Sequence, residues 1–311
     1  MWGWPPPVLD PAGPYATPVV VLSWALAAMA VLVMAVVGVC LALALVGGPR
    51  WRARVGGERA VLIGGIGFPV VVLSLLLIWG LSLTARLTHE PDPDALRIRV
   101  SGEMWWWRVD YPAPGGGTFA SANEIRIPVG RPVVIEAVSG DVIHSIWIPR
   151  LGGKIDMIPG RTNLLRLQAD APGVYRGQCA EFCGGPHALM GLEVVAMEPA
   201  AYDAWVARMA LPPPPPTDPF LLRGQAVFEA NGCGACHTVR GTSANGLAGP
   251  DLSDVGGRGR LGAGILPNNR GTLAGWTSNP QAIKPGVRMP VYDTLSGGDL
   301  HALAAWLESR R

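Results

Sequence analysis

The sequence predicts a membrane-anchored multidomain chain: a two-helix transmembrane hairpin, then an all-β sandwich, then an all-α C-terminal domain. Three observations predict it. No charged residue lies between Asp10 and Arg50, and none between Arg59 and Arg86. Short β-branched runs, cut by Gly and Pro, fill residues 96–197. Beyond five consecutive prolines, residues 212–216, the pattern turns helical. Hydrophobic residues make up 49% of the 311, against 15% charged, which calls for a membrane segment. A formal net charge of +2 gives no reason for a nucleic-acid partner.

Residues 19–46 and 63–83 are apolar and long enough to cross ~30 Å of hydrocarbon as helices. A buried core helix, or a cleaved signal peptide for the first, competes with this reading. The first stretch exceeds a signal core, and no basic region precedes it. Arg50, Arg52, Arg54 and Arg59 between the spans outweigh Glu58, and no Lys or Arg precedes the first span. The positive-inside bias therefore puts the loop in the cytoplasm and both chain ends outside, in the periplasm of a bacterial inner membrane. Five regions are expected: an N-terminal tail 1–17, the two spans 18–86, the β domain 87–210, a Pro-rich linker 211–217 and the helical domain 218–311. Glu58 reads as a solvated loop charge.

In the β domain, "RIRV" (97–100), "EIRIPV" (124–129), "VVIEAV" (133–138), "LLRLQA" (164–169) and "LEVVAM" (192–197) read as strands. Residues 202–209 read as a short helix. The prolines that follow favour a stiff polyproline II spacer. A helix starts near Pro219, and another follows Ser296 and Asp299, which have capping-box spacing. Its apolar face carries Leu300, Leu303, Ala304 and Leu307. The Gly- and Pro-rich stretch between them promises little regular structure.

Cys40 falls in the first span. The other four cysteines form two close pairs on the oxidising side, as disulfides or cofactor ligands. Cys233-Gly-Ala-Cys236-His237 has the Cys-x-x-Cys-His form that attaches c-type haem. A redox dithiol would follow a strand, whereas a helix precedes this pentad; a zinc site would need further ligands, and no cysteine follows Cys236. For the second axial ligand, the segment offers Met289 and His301, and His301 sits on the terminal helix. A thioether opposite the histidine raises the haem potential and suits electron transfer. Residues 219–311 resemble a class I cytochrome c, through the first helix, the pentad, "GPDL" (249–252), Met289-Pro290 and the terminal helix with Trp306.

The other pair lies in "CAEFCGGPHALM" (179–190). Thiolate, thioether and imidazole together select copper. A Cys179–Cys183 disulfide, a zinc site and a one-copper site compete with this. Two thiolates in one loop can instead bridge two copper ions, with His144 upstream, His187, Met190 and a loop carbonyl completing the set. The motifs "DVIHSIWIP", "GGKIDMIPGR" and "CAEFCGGPHALM", with the two spans before them, closely resemble subunit II of haem–copper cytochrome c oxidase. The resemblance implies a cupredoxin sandwich with a dinuclear Cu-A centre held by His144, Cys179, Cys183, His187, Met190 and the carbonyl of Glu181. It implies that the Glu181 carboxylate reaches a magnesium ion shared with subunit I, and that Trp105, heading "WWW", lies on the electron path. Trp106 stands where relatives more often have Tyr, and Trp106 and Trp107 read equally as sheet packing. Asp156 matches an acidic residue near the centre.

With its fused cytochrome domain the chain resembles subunit II of the caa-type oxidases over nearly its whole length. That implies a wire: a donor, cytochrome c or another complex, reduces haem c, the electron passes to Cu-A, and it leaves for subunit I, where oxygen is reduced and protons are pumped. Subunit III and membrane lipid are the further partners implied. Residues 90–210 carry 14 acidic and 11 basic side chains and residues 217–311 carry 7 and 9, so the domains have weakly complementary charge. The alternatives are a Cu-A-containing nitric oxide reductase subunit, or a membrane copper-binding cytochrome with no oxidase partner.

Overall fold

The computed structural model of the chain describes residues 6–88, 93 and 95–311. The start of the expected N-terminal tail, residues 1–5, and most of the polar segment after the second span, residues 89–92 and 94, lie outside them. Two compact units result: the helices between Thr17 and Thr88, and a body formed by residues 6–16, 93 and 95–311.

The helical unit contains α1 (Thr17–Val46), α2 (Pro49–Val55), α3 (Glu58–Ala60), a π-helical segment (Val61–Gly67) and α4 (Phe68–Thr88). The last three run as one helix of 31 residues, beside the 30 of α1. At about 1.5 Å per residue each exceeds the ~30 Å hydrocarbon core. Neither buries its apolar window within the protein, so both are apolar helices whose partner is something other than this chain's core. The second extends further than the apolar pattern predicts, because Glu58 sits favourably in its first turn. Gly64, Gly65 and Gly67 fall in the wide π turn. Arg52 donates to the Leu45 carbonyl, satisfying one orphan acceptor at the end of α1 (2.9 Å).

The β domain has ten strands: β1 (Leu96–Glu103), β2 (Trp106–Pro112), β3 (Thr118–Ala122), β4 (Glu124–Pro128), β5 (Val133–Ser139), β6 (His144–Trp147), β7 (Lys154–Met157), β8 (Asn163–Leu167), β9 (Gly173–Cys179) and β10 (Gly191–Met197). One sheet runs β3-β2-β1-β5-β8 and the other β4-β10-β9-β6-β7. The core between them is formed by residues such as Ile98, Val109, Ile135, Ile146 and Val194, all without solvent exposure. All five predicted strands are present. The other five were illegible as strands, being short or interrupted by Gly, Trp and polar residues. Helix α5 (Pro199–Met209) closes one end, with Trp205 edge-on to Tyr111 at 4.9 Å. The N-terminal tail also belongs to this body. Ala12 N–H donates to the Arg150 carbonyl (2.7 Å), Asp170 N–H donates to the Ala12 carbonyl (2.9 Å), and Asp10 pairs with Arg150 (2.8 Å).

The C-terminal domain holds α6 (Pro219–Ala230), the two-residue strands β11 (Arg260–Leu261) and β12 (Leu266–Pro267), α7 (Arg270–Ser278), α8 (Pro280–Ile283) and α9 (Gly297–Glu308). Asp218 caps α6 and Ser296 caps α9. Helices α6 and α9 cross closely at Gly224, where a Cβ would come within 2.2 Å of the Ala302 carbonyl oxygen. Phe228 and Trp306 pack at 4.9 Å beside that crossing. Helix α7 corrects the expectation of little regular structure before α9. Its sequence, RGTLAGWTS, has weak propensity, but an Asn269–Thr272 capping box starts it and buried Leu273 anchors it to the core.

The prolines form neither helix nor strand. Their segment is held: Arg310 donates to the Pro214 carbonyl (3.0 Å), and Arg240 donates to the carbonyls of Met209 and Leu211. The C-terminal domain is docked on the sandwich by named bonds. Arg260 pairs with Glu193 (2.9 Å), Gly259 N–H donates to Glu124 (2.8 Å), Ser121 donates to Asp254 (3.0 Å) and Gly191 N–H donates to the Ala263 carbonyl (2.9 Å).

Candidate metal and haem centres

Sheet register builds the first centre. Strand β6 pairs with β9 so that Ile146 faces Cys179 and Trp147 faces Gln178, which sets His144, at the start of β6, beside the end of β9. The loop between β9 and β10 is closed at its neck by Cys179 N–H donating to the Met190 carbonyl (2.9 Å). A 3-10 turn, His187–Leu189, turns the chain back toward β10. Five soft ligands therefore converge. Cys179 Sγ lies 3.8 Å from Cys183 Sγ and 3.9 Å from His144 Nδ1; Cys183 Sγ lies 3.5 Å from His187 Nδ1 and 3.8 Å from Met190 Sδ. The Glu181 carbonyl oxygen is 3.2 Å from Cys179 Sγ. The two sulfurs are not bonded to each other. His144, Cys179, Cys183 and Met190 are buried, His187 is half-buried and the Glu181 side chain is exposed.

Two groups of this site are held anionic, Cys179 and Asp141. Hydrogen bonding between the two sulfurs, with His144 and nearby backbone groups assisting, draws the Cys179 thiol down. The same bond, with burial, pushes Cys183 well above the ordinary thiol range. Burial acts to lower His144, but its bonds to Cys179 and Asp141 outweigh that and raise it. Asp141 itself is held low: burial opposes, and the His144 bond and the Val142 and Met104 amides prevail. His144 Nε2 donates to Asp141 Oδ1 (2.9 Å), which leaves Nδ1 facing the sulfurs. A carboxylate behind a ligating imidazole fixes its tautomer. Gly102 makes room for the ring, because a Cβ there would sit 2.7 Å from its Cδ2. Two sulfur-bridging cysteines with imidazole and thioether suit copper, and the donor set fits a dinuclear centre.

The tryptophans divide the work. Trp107 is fully buried and donates to the Gly191 carbonyl (3.1 Å), while Trp106 lies under the Arg108 guanidinium at 4.8 Å. Trp105 donates through Nε1 to the Cys183 carbonyl (2.8 Å) and lies against Gly184, whose φ of +111° and missing Cβ let the indole approach. Asp156 is exposed on β7, opposite Ser145.

In the C-terminal domain His237 Nδ1–H donates to the Pro250 carbonyl (2.8 Å), leaving Nε2 free for iron, and burial holds the imidazole neutral. This explains the "GPDL" motif. Pro250 orients the histidine, and a Cβ on Gly249 would come within 2.6 Å of its ring. Cys236 is exposed and Cys233 half-buried, as thioether-forming residues covered by a porphyrin require. The loop after α8 carries half-buried Met289, whose carbonyl accepts from Gln281 (3.0 Å). These residues fit haem c. His301 is exposed and stacks on Phe220 at 5.4 Å.

Three residues escaped the sequence reading. Asp141 has a weak signal, a carboxylate three residues before His144. Arg288 and Lys284 have none, because both act across the domain boundary. Arg288 reaches Asp141 at 3.7 Å. Lys284, only 1% exposed, donates to the carbonyls of Trp105 (2.7 Å) and Gly262 (3.1 Å). Burial pulls its amine down to about 7, against the opposing charge of Cys183.

Fold and site together define a protein with two membrane-length helices, a cupredoxin-type sandwich and a haem c domain docked upon it. The chain is similar to several known proteins. The family described as cytochrome c oxidase subunit II, periplasmic domain, matches residues 117–197, and the cytochrome c family matches residues 221–311. Cytochrome c oxidase subunit 2 of Alkalihalophilus pseudofirmus is 40% identical over 261 residues, 82% of this chain and 75% of that protein. The subunit 2 of Bacillus sp. strain PS3 is 31% identical, covering 82% of this chain and 76% of its own. The solved periplasmic domain of subunit II of Bradyrhizobium japonicum is 33% identical with a TM-score of 0.36, covering 38% of this chain and 95% of that one. The chain belongs to the cytochrome c oxidase subunit II family, in the form with a fused cytochrome c domain found in caa-type oxidases. It is a subunit of an oxidoreductase.

Proposed function

We propose that this chain is the electron-input relay of a haem–copper oxidase. His237 and Met289 would hold the iron of a haem attached at Cys233 and Cys236. His144, Cys179, Cys183, His187, Met190 and the Glu181 carbonyl would hold dinuclear copper. Bound haem c and copper supply one-electron couples. The protein orients them, keeps water from the sulfurs and sets Trp105 beside Cys183 as the connecting group. The observation that carries this reading is the convergence of four soft ligands from one loop on His144 of β6, next to a docked Cys-x-x-Cys-His domain.

Electrons from cytochrome c or another donor complex then leave for subunit I, where oxygen is reduced with proton pumping. The exposed Glu181 carboxylate at the loop tip is the candidate for a magnesium ion shared with subunit I. Subunit III completes the assembly. The tail before the first span and the sandwich after the second are parts of one folded body. An even number of crossings puts them on one side of a bacterial inner membrane, the periplasmic side on the charge rule.

Purification of the complex from membranes, with oxygen uptake measured on a reduced cytochrome c donor, tests the proposal. Uptake that is lost in Cys183→Ser while haem c is retained supports it. Full uptake in that variant would refute it.

A further inference from the structure

We propose that Lys284 is a positioning residue for the relay: from the haem domain it fixes the main chain at Trp105 and, through the Trp105 indole, the Cys183 end of the copper loop. The inference rests on the relay reading above.

The geometry is a short chain of contacts. Lys284 Nζ donates to the Trp105 carbonyl at 2.7 Å, and Trp105 Nε1 donates to the Cys183 carbonyl at 2.8 Å. The second Lys284 bond, to Gly262 at 3.1 Å, ties the amine back to its own domain. Lys284 is thus anchored at both ends, and among the described residues it has no carboxylate partner. The site supplies two carbonyl acceptors for the amine's N–H donors. Seating a lysine here rather than at the rim sacrifices hydration, and simple adhesion does not require it. Arg260, Gly259, Ser121 and Gly191 already bond the domains together elsewhere.

The same loop reaches the other side of the copper site. Arg288 approaches Asp141 Oδ2 at 3.7 Å, and that oxygen also accepts from Met104 N–H at 2.7 Å. Asp141 holds His144. One short segment, residues 284–289, therefore touches the supports of Cys183 and of His144 and ends on Met289, the residue that would face haem iron. Of its two prongs, Lys284 is the shorter and the more buried.

The test uses the complete oxidase complex with Lys284→Met, Lys284→Arg and, as a docking control, Arg260→Ala. Two readouts are taken: the flash-initiated haem c to copper transfer rate, and backbone hydrogen exchange. The absorption bands of both centres are checked first; if either is missing in the wild-type complex, the relay reading itself fails. With both present, Lys284→Met should slow internal transfer by about tenfold or more, the scale on which a misplaced group costs rate. It should raise exchange at residues 104–107 and 183–187, leave residues 124–128 and 191–197 protected, and leave both reduction potentials unchanged. Lys284→Arg should restore part of the rate, and Arg260→Ala should leave residues 104–107 protected. An unchanged transfer rate in Lys284→Met would overturn the proposal. So would exchange rising over the whole interface, or equal slowing in Arg260→Ala, because Lys284 would then be domain adhesive only.

Discussion

Asp141 shows how much a single side chain does in this site. It fixes the His144 tautomer, accepts from two backbone amides and meets Arg288 from the haem domain. Asp141→Asn keeps the shape and removes the charge, so copper affinity should fall about 10–100-fold, the usual loss when such a partner is removed. Competition titration with a chelator measures it. Lys284 gives a pH signature. Its amine sits near 7 in the folded protein against 10.5 ordinarily. Between those values the unfolded chain binds the extra proton and the folded one does not, so stability should rise with pH from about 7 to about 10. Denaturant unfolding across that range should show the rise in wild type and a flatter profile in Lys284→Met. Every proposed ligand was legible at this scale, because ligation demands particular side chains at short spacing. Asp141, Arg288 and Lys284 were not, because their meaning lies in contacts with residues distant in sequence.

Among the elements, β6 and β9 decide the copper site. Their pairing brings residues 144 and 179 together, and nothing local to either strand announces it. Strand β1 contributes a glycine rather than a ligand. Gly102→Ala would push a methyl group into the His144 ring and should destabilise the sandwich by about 1–3 kcal/mol, as overpacking does. Thermal unfolding and copper content, measured together, should fall together. The α6–α9 crossing makes the same demand. Gly224→Ala should cost a similar amount, about 1–3 kcal/mol, and loosen the haem domain while sparing the copper loop. Elements with a strong local pattern, the β-branched runs of β5 and β10 and the long uncharged stretches of the two long helices, were legible from the sequence. Helix α7 and the short strands were not, because tertiary packing rather than local propensity stabilises them.

At the scale of the whole molecule, two redox domains are joined by a linker and also bonded face to face. The proline run implies separable domains, and it could not say whether they dock. Docking rests on buried Glu124 and Glu193 of the sandwich meeting Gly259 and Arg260, and on buried Asp254 of the haem domain meeting Ser121, pairs invisible until the fold brings them together. A protease site placed within residues 212–216 should therefore cut the chain without abolishing oxygen uptake at once, with the haem fragment co-eluting at low concentration. Immediate loss of uptake on cutting would mean that the tether alone holds the domains together. The central claim is that both sulfurs serve one shared pair of metal ions. Electron paramagnetic resonance of the oxidised, copper-loaded complex tests it most directly. The account predicts one unpaired spin shared equally between two copper nuclei. A spin confined to a single copper nucleus, or no copper signal with Cys179 and Cys183 joined as a disulfide, would contradict it.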